Sequence, residues 1–222
     1  MAAGFVQLPT DSTGKKLRTN DRGTPGHDQY VIPTDERLIS YHGRASTFKT
    51  PGRAAVSQKI LSIHNATGST ILVDVKRIRI DVLQTAVKAV TIAVPVIRAY
   101  RVTVLPTNGT ALTKVAMDSS LTSSASVTVL GDASADGTGS ATTLTATIPA
   151  GNILDQSYAQ RVFTAVGYEM ADAVEFFVGD PDVTLRALEG VVIFLESAVV
   201  TTGIPATDFY IASLEWEEYT LP

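Results

Sequence analysis

Between Phe209 and Tyr219 the chain alternates with a period of two. Tyr210, Ala212, Leu214 and Trp216 fall on one side, and Phe209, Ile211, Ser213, Glu215 and Glu217 on the other. Successive side chains of a strand point to opposite faces of a sheet, so this pattern demands a half-buried strand, with the only tryptophan, Trp216, pointing toward a core or a subunit contact. Just upstream, Gly190 to Val200 is rich in Val, Ile and Phe and ends at a Thr-Gly-Ile-Pro break. That composition suits a strand buried on at least one face. Together the two segments predict an antiparallel hairpin, Leu188–Tyr219, that closes the fold.

The same signals recur upstream. Ser57–Ala66 and Ile71–Leu83 flank the turn Thr67-Gly68-Ser69-Thr70 and predict a second hairpin. Within Ile71–Leu83 the apolar phase slips: Ile71, Val73 and Val75 share one face, but Ile78, Ile80 and Val82 share the other. A β-bulge near Lys76-Arg77 would restore a single face; a strand that leaves one sheet for another is the alternative. Val90–Val94, Val96–Leu105 and Ala111–Met117 read as strands, with a loop at Pro106-Thr107-Asn108-Gly109, where Asn-Gly tolerates positive φ. Residues 118–150 turn rich in Ser, Thr and Gly. Val127–Leu130 and Thr142–Ile148 are expected to pair there as a projecting hairpin around a loop, Gly131–Gly139, with a long mobile loop over the whole stretch as the alternative. Asn152–Tyr158 is expected to be a short helix or turn, and Arg161–Tyr168, Ala173–Val178 and Val183–Leu185 strands. Roughly ten to twelve short strands separated by turns predict an all-β chain, an antiparallel β-sandwich or jelly-roll-like body.

Residues 1–53 read as an extended N-terminal arm, leaving 54–222 as the body. Pro9, Pro25, Pro33 and Pro51, with five glycines between Gly14 and Gly52, leave no room for a long helix or a central strand. Short pieces such as Tyr30-Val31-Ile32 and Leu38-Ile39-Ser40-Tyr41 could pin the arm locally. The arm carries eight Lys or Arg against five Asp or Glu, a sum of +3 in a chain of net charge −4, so the remainder carries −7. A mildly basic arm on an acidic body favours exchange between copies or contact with an acidic partner. Nucleic-acid binding needs denser basic clustering than this, usually with exposed aromatics to stack on bases, so no nucleic-acid partner is expected. Apolar runs break before the roughly 18 residues of a membrane helix, so no membrane partner is expected. With no cysteine, disulfides and thiolate metal sites are excluded. The N-terminus lacks the pattern of a secretory leader, so Asn65-Ala-Thr67 and Asn108-Gly-Thr110 are read as turns rather than glycosylation sites.

Candidate chemistry is thin. His27, His42 and His64 lack a second histidine at metal-ligand spacing, and no Gly-x-Ser-x-Gly elbow marks a nucleophile. The loop Gly131–Gly139, with Asp132 and Asp136, misses the alternate-acid spacing of a calcium loop. Ser12-Thr-Gly14-Lys15-Lys16 lacks the first glycine of a phosphate loop. Asp208, Glu215, Glu217 and Glu218 make an acidic C-terminal edge that could be read as serving glycoside hydrolysis, which needs two carboxylates flanking one cleft. Charges that protect an edge strand from unwanted pairing explain them better. No catalytic, cofactor or metal set is therefore expected. The candidate interface residues are Lys15, Lys16, Arg18, Arg22, Tyr30 and Tyr41 on the arm, with Trp216.

Four stretches together resemble virion structural proteins of tailed bacteriophages: Leu8-Pro-Thr-Asp-Ser-Thr-Gly-Lys-Lys16 leading into Asp28-Gln-Tyr-Val-Ile-Pro33; Lys59-Ile-Leu-Ser-Ile-His-Asn-Ala-Thr-Gly68 before a Val/Ile-rich strand; Thr184-Leu-Arg-Ala-Leu-Glu-Gly190; and Leu214-Glu-Trp-Glu-Glu-Tyr219. Similar proteins often carry Pro-Gly-Glu-Gly in the penultimate turn, where this chain has Ala187-Leu-Glu-Gly190. The resemblance implies a β-sandwich used repeatedly on a viral particle assembled in the bacterial cytoplasm. It implies a non-enzymatic capsid decoration or cement subunit that forms homo-oligomers and contacts other virion proteins such as the major capsid protein. A tail, collar or fibre component is the alternative, and a carbohydrate-active sandwich enzyme the third reading.

Overall fold

The computed structural model describes residues 38–47, 50–51, 57–84, 95–132, 144–149, 151–158, 169–170, 173–177, 183–197 and 208–220. The chain divides into two units, Met1–Glu36 and Arg37–Pro222, and every described residue belongs to the second.

In chain order the strands are β1 (Leu38–Ser46), β2 (Thr50–Pro51), β3 (Ser57–Asn65), β4 (Ile71–Gln84), β5 (Pro95–Val102), β6 (Thr110–Ala111) and β7 (Val115–Ala116). They continue as β8 (Val127–Gly131), β9 (Ile153–Tyr158), β10 (Glu169–Met170), β11 (Val174–Phe176), β12 (Val183–Leu185), β13 (Gly190–Ser197) and β14 (Asp208–Thr220). Sheet A runs β10-β4-β14-β1-β7, with β11 and β12 also on β4 and β2 on β14; sheet B runs β6-β8-β3-β13-β5-β9. All pairings are antiparallel, and no helix occurs among the described residues. The sheets share one core, to which β14 contributes Tyr210, Ala212, Leu214 and Trp216, all 1% exposed or less. The expected all-β antiparallel sandwich is the observed fold.

The phase slip in β4 resolves as a bulge. Glu215 pairs with Arg77 and Trp216 with Val75, so Lys76 is the extra residue. Ile71, Val73, Val75, Ile78, Ile80 and Val82 thereby all enter one core face.

Both expected hairpins are corrected. β3 lies in sheet B and β4 in sheet A; β13 pairs with β3 and β5, whereas β14 pairs with β1 and β4. Each turn therefore carries the chain from one sheet to the other. A hairpin turn and an inter-sheet crossing need the same glycine-containing break, and only the partners of the flanking strands tell them apart. Asn65 stabilises the first crossing. Fully buried, it donates its backbone N–H to the Glu189 carbonyl (2.9 Å) and accepts from the Leu188 N–H (2.9 Å). Its side-chain amide donates to the carbonyls of Ile71 (2.9 Å) and Leu185 (3.3 Å). Leu188 itself sits at φ +69°, a left-handed conformation that costs an L-residue with a β-carbon roughly 1–2 kcal/mol.

Three further expectations change. Residues 38–51, assigned from sequence to the arm, supply β1 and β2, and β1 lies inside sheet A between β14 and β7. Gly43 allows this, because a β-carbon there would lie 2.2 Å from the Tyr41 hydroxyl, whose ring folds over it. The basic excess does not belong to the first unit: residues 1–36 carry four Lys or Arg against five Asp or Glu, so the +3 of the first 53 residues originates at Arg37, Arg44, Lys49 and Arg53, of which Arg44 lies in β1. Val127–Gly131 does not project but pairs with β3 and β6, while Thr145 bridges Thr107. The segment expected as a helix or turn, Asn152–Tyr158, forms edge strand β9 after a turn at Gly151, φ +83°. The strands expected at Val90–Val94 and Arg161–Tyr168 lie outside the described residues.

Candidate functional site on the outward face of sheet A

β14 is not an edge strand but is flanked by β1 and β4, and its outward side chains stand in cross-strand rows. One row is His42–Glu217–Asp74, the next Arg44–Glu215–Arg77, and the next Ser46–Ser213–Arg79, continued by Glu175 of β11. The alternation that sends Trp216 inward sends these groups outward.

The ionic groups are largely matched to one another. His42 Nε2 lies 2.9 Å from Glu215 Oε1, and its Nδ1 lies 3.9 Å from Glu217 Oε1. Lys76, thrown outward by the bulge, reaches Glu217 at 3.0 Å and Asp74 at 3.9 Å. The Tyr219 hydroxyl donates to Glu217. Burial pushes the Glu217 carboxyl up, but hydrogen bonds from Tyr219 and Lys76, with the charges of Lys76 and His42, more than offset this and leave it below the usual range. Tyr219 is pushed up to about 12, by burial first and then by its bond to Glu217. Arg79 grips Asp81 through Nε (3.0 Å) and Nη2 (2.8 Å), which raises its already high pKa, and Arg77 pairs with Glu175.

Between the long side chains the face dips. A depression of about 290 Å³ is lined by Arg44, Ser46, Arg77, Arg79, Ser213 and Glu215. Its shape follows from the rows: Ser46 and Ser213 are short, and arginines surround them.

The fourth acid of the group, Glu218, points the other way. It is 1% exposed, and its carboxylate accepts from Trp216 Nε1 (3.0 Å), the Ser123 hydroxyl (2.5 Å) and the Ser124 N–H (2.8 Å). Lys114 Nζ holds the same segment, donating to the carbonyls of Ser124 (3.0 Å) and Val127 (2.9 Å). Burial pushes the Lys114 ammonium down, and the Glu218 charge opposes that shift. The two charged groups thus tie residues 123–127 to the sandwich. The signal was present in the sequence, since position 218 continues the inward series 210, 212, 214, 216. Glu215 and Glu217 therefore flank no common cleft with Glu218; the Asp208 side chain lies outside the described residues.

Of the candidate interface residues, Tyr41 and Trp216 are 1% and 0% exposed, with ring centroids 5.6 Å apart, and are core anchors rather than surface residues. Lys15, Lys16, Arg18, Arg22 and Tyr30 lie outside the described residues, as do His27 and positions 133–139 of the acidic loop. Asp132, at the start of that loop, is buried and accepts from Gln58 Nε2 at 2.9 Å. Among the described residues no three His, Asp or Glu side chains converge as metal ligands. His64 is 1% exposed beneath Gly190, where a β-carbon would lie 2.8 Å from its ring. Burial pushes its pKa down, against a smaller opposing pull from the Leu188 backbone.

Comparison of this chain with family models, with curated proteins and with solved structures finds no match.

Proposed function

We propose that this chain is a non-enzymatic structural subunit of a tailed-bacteriophage particle, a capsid decoration or cement protein present in many copies. The observation that carries the reading is the layout. A proline- and glycine-punctuated segment, Met1–Glu36, separates as its own unit from a two-sheet β body. The sequence resemblance to virion proteins supports the same reading, as does an outward face whose ionic groups are spent mainly on one another. The segment before Leu38 engages neighbouring subunits, including the major capsid protein, and the sandwich repeats over the surface.

The test is a truncation placed by the structure. Removing residues 1–36 spares β1, whereas a cut at 50 would take out a strand of sheet A. The truncated body is expected to keep the strand signature and the melting temperature of the full chain and to lose co-sedimentation with particles. Undiminished binding would sink the arm as the attachment device. Copy number per particle, from quantitative mass spectrometry of purified virions, separates a decoration subunit (many copies) from a tail, collar or fibre component (few).

A further inference from the structure

We propose that the depression on the outward face of sheet A is an oxyanion-binding site, taking the carboxylate of an acidic side chain or a free sulfate-class ion. The inference stands on the geometry of the face and is independent of the virion reading.

The charges around the depression are unequally matched. Arg77 is committed to Glu175 and Arg79 to Asp81. Glu215, which faces Arg44 across the β1–β14 register, is instead taken by His42 at 2.9 Å. Arg44 is exposed and has no carboxylate within 4.0 Å among the described residues. Two rows of the sheet therefore present an uncommitted guanidinium beside two short hydroxyl side chains, Ser46 and Ser213. The Ser213 hydroxyl has only a 3.5 Å contact with the Arg79 carbonyl to give up.

A guanidinium fork presents parallel N–H donors that match two oxygens of a carboxylate or sulfate, and a serine hydroxyl can turn to donate to a third. The Arg77 and Arg79 guanidiniums, although paired, keep donors and positive potential on the far wall. The cavity of about 290 Å³ holds such an ion with several waters, each occupying about 30 Å³. A cation in this place would meet three guanidiniums. The single carboxylate among the described lining residues, Glu215, is already paired with His42. Because the site is open to solvent, binding is weak and salt-sensitive, as suits a contact repeated many times or reinforced by neighbouring contacts.

The test uses the full chain, isotope-labelled, with arginine Nε–Hε and backbone amide resonances followed at constant ionic strength. The titrants are sodium sulfate in one arm and a short glutamate-containing peptide in the other. Saturable shifts at Arg44 and at the amides of Ser46 and Ser213 are expected, with affinity about tenfold weaker in Arg44→Ala, the loss of one charge-assisted group. Arg44→Lys should fall between the two, keeping the charge but losing the fork. Saturation by the peptide alone identifies a protein side chain as the ligand, and saturation by sulfate identifies a free ion; both support the site. Linear, non-saturating shifts, or equal affinity in wild type and a folded Arg44→Ala, would overturn it.

Discussion

The outward faces of the two sheets differ most at their central strands, β14 and β13. On sheet A the face is ionic, with His42, Lys76, Arg77 and Arg79 paired to Glu215, Glu217, Glu175 and Asp81. On sheet B the centre of the corresponding face, on β13, is apolar and buried, with the Arg98–Glu196 ion pair beside it. Val191, Ile193 and Leu195 of β13 point into the shared core, while the alternate residues Val192 and Phe194 are also buried, at 0% and 8% exposed. Phe194 meets Tyr100 edge to face at 5.7 Å, and the Lys59 ammonium stands 5.1 Å over its ring. This accounts for the two strand patterns: β14, buried on one side, alternates, and β13, buried on both, is a continuous apolar run.

The comparison holds only if the inner faces are equivalent and the outer ones are not, and this can be tested. Trp216→Ala should give the largest effect, about 3–5 kcal/mol by urea unfolding, because it empties the centre of the shared core and removes a donor to Glu218. Glu218→Ala should cost about 1–3 kcal/mol by leaving the Trp216 Nε1–H and Ser124 N–H without their acceptor. Faster amide exchange at Ser124 would mark release of the 123–127 segment. An unchanged urea midpoint would mean that Glu218 is not the tie the geometry describes.

The next two effects are smaller and depend on pH. His64, on the outward side of sheet B, has its folded pKa lowered by burial, so between that value and its ordinary value near 6.5 the unfolded chain binds more protons. Stability should therefore fall as pH drops from 7.5 through 6.5 and level off below the folded pKa, and His64→Gln should flatten this slope. Glu217, on sheet A, is lowered by its partners, so its contribution is full above the ordinary carboxylate range and is lost as pH falls through the folded value. Glu217→Gln should remove that acid-side loss. At neutral pH, Arg79→Ala should barely move the midpoint, since exposed ion pairs contribute little. A large loss there would mean that the ionic face of sheet A is structural rather than available for contacts.

The sequence made part of the candidate site legible. Alternation in β14 placed Glu215 and Glu217 opposite Trp216, and the phase slip located the bulge that turns Lys76 outward to Glu217. It did not show that His42, Arg44 and Ser46 stand beside them, because β1 looked like part of a glycine-rich arm. Gly43 reads as a breaker in isolation, yet here it is the space into which the Tyr41 ring folds. Glu218 falls by alternation on the face opposite Glu215 and Glu217 yet reads as an edge charge, since a carboxylate beside a tryptophan gives no sign of the Ser123 and Ser124 donors waiting for it.

By itself, then, the sequence determined what is local: a period of two that makes strands, the face each side chain takes, and the bulge at Lys76. Tertiary structure alone decided which strands are neighbours. β3 to β4 and β13 to β14 cross between sheets rather than fold back as hairpins, because strand pairing is set by partners far away in the chain. Backbone hydrogen bonds and a common core select those partners, and the turn between two strands carries no record of the choice.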